Sequence, residues 1–201
     1  MGKYVFLFDL DSTITRQEIL PTISKSIGIH EEMSKVTDMT MRGEIPFTES
    51  FLRRVDLLKH IPINEVSELI GRIELNNLLV DFIQKNKSKC FVVTGNLDVW
   101  IEKLLERMGI KENTYCSRAL IKNGHIEKVF SVLDKGMFVR QLQVPFVAVG
   151  DGNNDADMIA AADVGIGYGG VRNIAKSVYE SADYNFYDES ALVEFLWRLE
   201  E

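Results

Sequence analysis

At 201 residues the chain is long enough to bury a full core, and it is near the size at which one domain carries a smaller insertion. Its apolar fraction of 46% and charged fraction of 26% are ordinary globular usage and exclude a disordered or fibrous protein. The net charge of −7, without any run of basic residues, leaves no electrostatic footprint for nucleic acid or an anionic membrane, so an anionic substrate has to be held by a local cluster of cations.

The first element is Lys3 to Phe8, rich in aromatic and β-branched residues and predicted to be a buried strand. It runs into LFDLDSTIT, where Asp9 and Asp11 stand one residue apart at the rim of the expected sheet. Two like charges held close repel, and burying even one costs several kcal/mol unless something positive compensates. The apolar run is too short to span a membrane and acids follow at once, which predicts a soluble, cytoplasmic protein.

From 16 to 74 the texture changes. QEILPTISKSIG, EEMSKVTDMTMRG, PFTESFLRRVDLLK and INEVSELIGRI carry apolar residues at three and four spacing, punctuated by Gly43, Pro46 and Pro62. The spacing predicts an all-helical cap over 16–74, inserted after the first strand, with 1–15 and 75–201 forming the core. An insertion just past a strand's carboxyl end is well placed to cover a site there.

Further strands are expected at 89–95, 145–152 and 163–169, and NLDVWIEKLLERMG reads as an amphipathic helix. Strand followed by helix, repeated, predicts an α/β fold with a parallel sheet and helices on both faces. YCSRALIKNGHIEKV predicts a hairpin turning at Asn123 and Gly124, since both residues tolerate positive φ. Cys90 and Cys116 lack C-x-x-C spacing and read as reduced thiols. His30, His60 and His125 show no metal-ligand spacing and read as surface or packing residues.

Four stretches fall at or just beyond the carboxyl ends of these strands: Asp9 with Asp11, Thr94 with Gly95, Lys135, and Asp151 with Asn154 and Asp155. In an open parallel sheet that edge is where ligands bind, so distant residues can converge on one crevice. Singly, a DxD, a TG or a DKG can be no more than a turn or a cap; their order and placement together point to a site. Carboxylates are hard ligands suited to magnesium, and GDGNNDADM lacks the terminal Glu of a calcium loop. With a cation bound, Asp9 can attack phosphorus, Asp11 can act as general acid and then base, Thr94 and Gly95 can donate to phosphoryl oxygens, and Lys135 can hold their charge.

FDLDSTIT, VVTGN, DKG and VGDGNNDADM resemble, in this order, the four motifs of haloacid dehalogenase superfamily phosphatases, over the whole chain. The resemblance implies a Rossmann-like core, a magnesium ion and a phosphoaspartate intermediate. Carried over by position, it implies Asp9 as nucleophile, Asp11 as acid and base, Thr94 and Lys135 as phosphate binders, and Asp151 as metal ligand beside the Asp11 carbonyl. Asn154 and Asp155 would complete the metal environment, with Gly95, Asn96 and Asn154 also facing the substrate. DxDST, Glu18 and MRGEIPFTESFLRRVDLLKHIPINEV further resemble phosphoserine phosphatases with helical caps. That likeness implies Arg54 as binder of a substrate carboxylate, a bidentate contact that a planar guanidinium suits. It also implies Glu18 as partner of the ammonium, with Met41, Gly43 and Phe47 lining the closed pocket. Arg53 reads as a solvated helix face.

The expected reaction is hydrolysis of phosphoserine to serine and phosphate, within serine biosynthesis, by a monomer or homodimer. Two departures bear on the substrate: Asn96 stands where such phosphatases usually carry glycine, and the segment from Lys135 to Val144 is shorter than usual. Alternatives are another small phosphorylated metabolite such as phosphohomoserine, or transfer of the group to another hydroxyl. A receiver-like signalling module also uses acids, a Thr and a Lys around magnesium, but would lack the cap and place its acceptor Asp in mid-chain.

Overall fold

Alternation of apolar side chains organises a sheet that is covered on both faces. The structure, a computed structural model, describes residues 3–41 and 44–201. Its strands are β1 (Val5–Phe8), β2 (Cys90–Leu97), β3 (Thr114–Lys122), β4 (His125–Ser131), β5 (Phe146–Gly150), β6 (Val164–Tyr168) and β7 (Tyr184–Phe186). Among the described residues they form one sheet in the order β4-β3-β2-β1-β5-β6-β7, parallel throughout except for β4. The hairpin turns at Asn123 and Gly124, with φ of 52° and 77°, and its first strand pairs parallel with β2, so β4 becomes the antiparallel edge.

The chain leaves the sheet after β1 and returns at residue 75. Thr15 and Leu75 form an antiparallel bridge, the Arg16 amide donates to the Glu74 carbonyl at 2.8 Å, and Asn76 Nδ2 donates to the Thr13 carbonyl at 2.8 Å. Between these crossing points lie α1 (Ile19–Ser26), α2 (His30–Met41), α3 (Phe47–Leu58) and α4 (Ile63–Gly71). Each of α1, α3 and α4 buries one stripe, as Phe51, Val55 and Leu58 do on α3.

Two apolar layers sandwich the sheet, because successive strand residues point to opposite faces. Phe6, Phe8, Val92, Val147 and Val149 join the larger core, while Leu7, Val93 and Ala148 join a smaller one. On the larger side sit α5 (Asn77–Lys85), α6 (Asp98–Met108) and α10 (Glu189–Glu200). Phe82 of α5 meets Phe6 edge-on at 5.2 Å and Trp197 of α10 at 4.9 Å, and α4 packs against α6. On the other side α7 (Lys135–Val139), α8 (Ala156–Ala160) and α9 (Lys176–Ser181) contribute Val139, Met158, Ile159 and Val178. Both cysteines are free, and burial pushes the Cys90 thiol up to about 12 and the Cys116 thiol to about 11, so neither is a ready nucleophile. No helix among the described residues is long and apolar enough to cross a membrane.

Candidate active site

The loop after β1 aims both of its aspartates. The Asp9 amide continues the ladder to the Val149 carbonyl at 2.9 Å; then Ile14 and Thr15 amides fold back onto the Leu10 carbonyl. Ser12 absorbs the reversal at φ 60°, a left-handed value at which glycine would be unstrained, and its amide is held by Thr15 Oγ1 at 3.0 Å. Asp11 accepts the Ile19 amide on Oδ1 at 2.8 Å and Asn96 Nδ2 on Oδ2 at 3.3 Å. Burial raises the Asp11 carboxyl above its ordinary value, while these two donors pull it back.

At the end of β5, Gly150 leaves room for Asp155: a Cβ there would stand 2.6 Å from the Asp155 carboxyl carbon. Asp155 Oδ2 accepts the amides of Asp151 and Gly152 at 3.0 and 2.9 Å, pinning the GDGNND loop around its own carboxylate. Asp155 Oδ1 accepts Lys135 Nζ at 2.5 Å, and the same ammonium donates to Asp9 Oδ1. Lys135 is fixed because Asp134 caps α7 by accepting the Met137 amide at 2.8 Å. Carboxylate oxygens of Asp9, Asp151 and Asp155 all lie within 4.8 Å of one another.

The electrostatics of this cluster are acidic in excess. Burial, then the nearby Asp155, push the Asp9 carboxyl up to about 7 against the pull of Lys135. Burial, then Asp155 and Asp9, push Asp151 up to about 9. For Lys135 burial acts downward, but Asp155 and Asp9 outweigh it and raise the ammonium above its ordinary value. The group stays charged across the physiological range.

A cavity of about 290 Å³ opens over these acids, lined from below by Asp9, Asp11, Thr94, Gly95, Asn96 and Asn154, and from the helical insertion by Glu18, Phe47 and Arg54. Period-two alternation sets Thr94 and Asn96 on one face of β2, and a register shift between Thr94 and Leu97 marks the strand's end there. Thr94 Oγ1 accepts the Asn96 amide at 3.1 Å, which leaves its own proton free to donate. The Phe47 ring reaches down to Gly95, whose added Cβ would stand 2.9 Å from Phe47 Cζ. Arg54 holds its guanidinium 6.0 Å from the centre of that ring, its Nε donating to the Ser50 carbonyl at 3.3 Å. Burial lowers the Arg54 guanidinium and Asp11 raises it. Arg53 is exposed and pairs with Glu49 at 2.5 Å.

Gly43 lies outside the described residues, as does the side chain of Met41. Glu18 reaches the cavity with its carboxylate on Arg172, a residue that sequence reasoning missed. Arg172 also donates from Nε to Asp151 and so bridges the insertion to the metal-type cluster. The only available signal was its position beyond β6, at the same edge as the other strand ends. Thr13 was missed as well; its hydroxyl approaches Asp151 Oδ1 at 3.4 Å.

Residues 6–160 match the haloacid dehalogenase-like hydrolase family. A phosphoserine phosphatase of Methanocaldococcus jannaschii is 30% identical over 181 residues, covering 83% of this chain and 85% of the relative. A phosphoserine phosphatase of Archaeoglobus fulgidus is 30% identical over 195 residues, covering 90% of this chain, which spans only 56% of that relative's length. A solved structure described as a phospho-aspartyl intermediate analogue of phosphoserine phosphatase superposes with a TM-score of 0.80 at 28% identity, over 97% of this chain and 99% of the other. A substrate-bound phosphoserine phosphatase complex superposes at 0.79 with 26% identity, over 97% of this chain and 99% of the other.

Proposed function

The chain belongs to the haloacid dehalogenase-like hydrolase family, and on that premise we propose that it is a phosphomonoesterase that hydrolyses L-phosphoserine to L-serine and phosphate through a phosphoaspartate on Asp9. The observation that carries this reading is the convergence of Asp9, Asp151 and Asp155 with the buried Lys135 under a cavity that also receives Thr94, Asp11 and Arg54. The donor set fits magnesium: hard oxygens close together, with two carboxyls pushed toward neutrality by burial and then by the neighbouring acids. Asp9, Asp151, Asp155 and the Asp11 carbonyl would hold the ion, which supplies screening between these acids and an incoming phosphoryl group.

Lys135 orients Asp9 by holding Oδ1 and pulls its carboxyl toward the ionised form. The carboxylate attacks phosphorus, a new carboxyl O–P bond forms, and the ester P–O bond breaks. Asp11, whose raised affinity for a proton suits a general acid, gives that proton to the departing serine oxygen. It then takes one from water, which attacks phosphorus and returns Asp9 with release of phosphate. Thr94 Oγ1 and the Gly95 amide donate to the phosphoryl oxygens, and Lys135 holds the charge spread over them. Arg54, partly desolvated on the insertion, receives the substrate carboxylate.

The name of two relatives and the likeness to a substrate-bound complex support phosphoserine over phosphohomoserine as substrate. The reading also carries a cytoplasmic place in serine biosynthesis. The test is phosphate release from L-phosphoserine with and without magnesium, beside Asp9→Asn. Magnesium-dependent release that Asp9→Asn abolishes is the expected result; normal turnover by that variant overturns the mechanism.

A further inference from the structure

Arg172 lies in the segment between β6 and α9, with its Nε donating to Asp151 and its Nη1 to Glu18 Oε1. The first contact is the anchor. The Asp151 side chain is 1% exposed, and its backbone carbonyl accepts the Ala175 amide at 2.8 Å, so the segment carrying Arg172 is tied to the same residue that the side chain reaches. Gly152 keeps the path open, since a Cβ there would stand 3.1 Å from Arg172 Nη2.

Glu18 has no such anchor of its own. It stands at the N-cap of α1, where a polar side chain ordinarily accepts a first-turn amide, yet it makes no bond to that helix. Among the described residues its carboxylate is held by Arg172 alone, through Oε1, and Oε2 keeps no partner. Glu18 lines the cavity with 32% of its side chain exposed, so this carboxylate is open to a ligand. A guanidinium presents its donors in a rigid fork, so a direction fixed at Asp151 also fixes the direction offered to Glu18. Without it, the cost of ordering a flexible acid falls on the ligand.

We propose that Arg172 is a positioning residue for substrate recognition: standing on Asp151, it holds the Glu18 carboxylate where the cation of a bound ester is received. This rests on the phosphomonoesterase reading, with Glu18 as partner of the ammonium, and deepens it by making the selection of aminated esters depend on Arg172. Charge alone argues the other way. A guanidinium repels an ammonium, so deleting one that only shielded Glu18 would strengthen the preference for the amine, whereas deleting one that positions Glu18 weakens it.

The test measures, by calorimetry with magnesium present, the Kd of L-phosphoserine and of the phosphate ester of 3-hydroxypropanoate, which lacks only the amine. Both are bound to Asp9→Asn, so that neither is consumed, alone and combined with Glu18→Gln, Arg172→Ala or both. Asp9→Asn alone should favour phosphoserine by roughly tenfold or more, as a charge-assisted hydrogen bond does. Arg172→Ala should lower that ratio to within about twofold of the Glu18→Gln value, and the two together should lower it no further. Damage to the fold or to the metal site weakens both esters alike and leaves the ratio standing. Arg172→Met serves if the alanine variant does not fold. A ratio that is unchanged or rises in Arg172→Ala, or losses from the two substitutions that add, overturns the positioning role. Phosphate release from phosphoserine by the native protein is followed alongside. If there is none while the ratio and its dependence on Arg172 persist, the phosphomonoesterase reading is wrong and the role of Arg172 stands. Release without any preference for the amine overturns that role and leaves the reaction. Binding of neither ester overturns both.

Discussion

Replacing Lys135 with methionine keeps the length of the side chain and removes its charge, which exposes what the ammonium does for the acids around it. Lys135 pairs with Asp9 and with Asp155, and its side chain is 1% exposed against 5% and 1% for theirs. Breaking a buried pair by deleting one partner costs about 3–5 kcal/mol, a large share of the roughly 5–15 kcal/mol that holds a domain together. Here the loss depends on pH. The Asp9 carboxyl is already pushed up to about 7 with Lys135 present, and Lys135 is one of the groups pulling it down, so the variant raises it further. A carboxyl whose folded pKa lies above its unfolded value carries no penalty below the unfolded pKa of about 4, and loses stability as pH climbs through the folded value. Lys135 itself adds no slope there, because its folded pKa lies above the ordinary 10.5 and it stays charged. Urea unfolding of metal-free Lys135→Met should therefore show the full loss of about 3–5 kcal/mol near pH 8.5 and a smaller one near pH 5.5, where Asp9 takes up a proton instead. A loss equal at both pH values, or larger in acid, would refute the claim that Lys135 acts as counter-charge to buried carboxylates.

Arg54→Ala should raise KM for phosphoserine roughly tenfold or more while changing that for p-nitrophenyl phosphate far less, since only the former carries a carboxylate; equal changes in steady-state assays would remove Arg54 from substrate recognition. Gly95→Ala should lower kcat/KM by displacing the Phe47 ring, whose Cζ would stand 2.9 Å from the new Cβ. Phe47→Leu in the same chain should restore part of the loss, and a double-mutant cycle showing no coupling would count against that contact.

The sheet was legible where both faces are buried. Val5 to Phe8 and Phe146 to Gly150 alternate between two apolar layers, so they read as unbroken apolar runs bounded by Asp or Gly, the strongest strand signal this chain has. The hairpin was legible from two turn residues. What the sequence hid was pairing: nothing local says that β3 lies parallel beside β2, or that Tyr184–Phe186 adds a seventh strand only three residues long. Helices α5 and α10 passed unread although their stripes are regular, Phe82 and Trp197 included, because no motif drew notice to them. In the site, residues at strand ends could be named because the parallel sheet brings those ends together. Arg172 could not, since a lone Arg in GGVRN acquires meaning only from reaching Asp151 and Glu18. Asn96 could be singled out as a departure, but its hold on Asp11 is a property of packing.

The acids and bases around the cavity do not balance, and the imbalance has a measurable consequence. Asp9, Asp11, Glu18, Asp151 and Asp155 face Lys135, Arg54 and Arg172, five formal negative charges against three positive, so the site is short by two. Without an added cation, protons make up the difference: burial, then the neighbouring acids, push Asp9 up to about 7 and Asp151 to about 9. A divalent ion and two protons are electrostatically interchangeable here, so the ion must displace protons to bind. Near pH 7, Asp9 is about half protonated and Asp151 almost wholly so, and magnesium binding should release between about one and two protons per ion. The release, followed by calorimetry of the metal-free protein in buffers of different ionisation enthalpy, should fall toward zero above about pH 10, and the gain in Tm on adding magnesium should grow as pH rises from about 5 to 9. Binding that takes up no protons from the buffer and gives none to it at pH 7 would mean that the carboxylates were already ionised, and the claim that protons fill the charge deficit in place of the ion would fall.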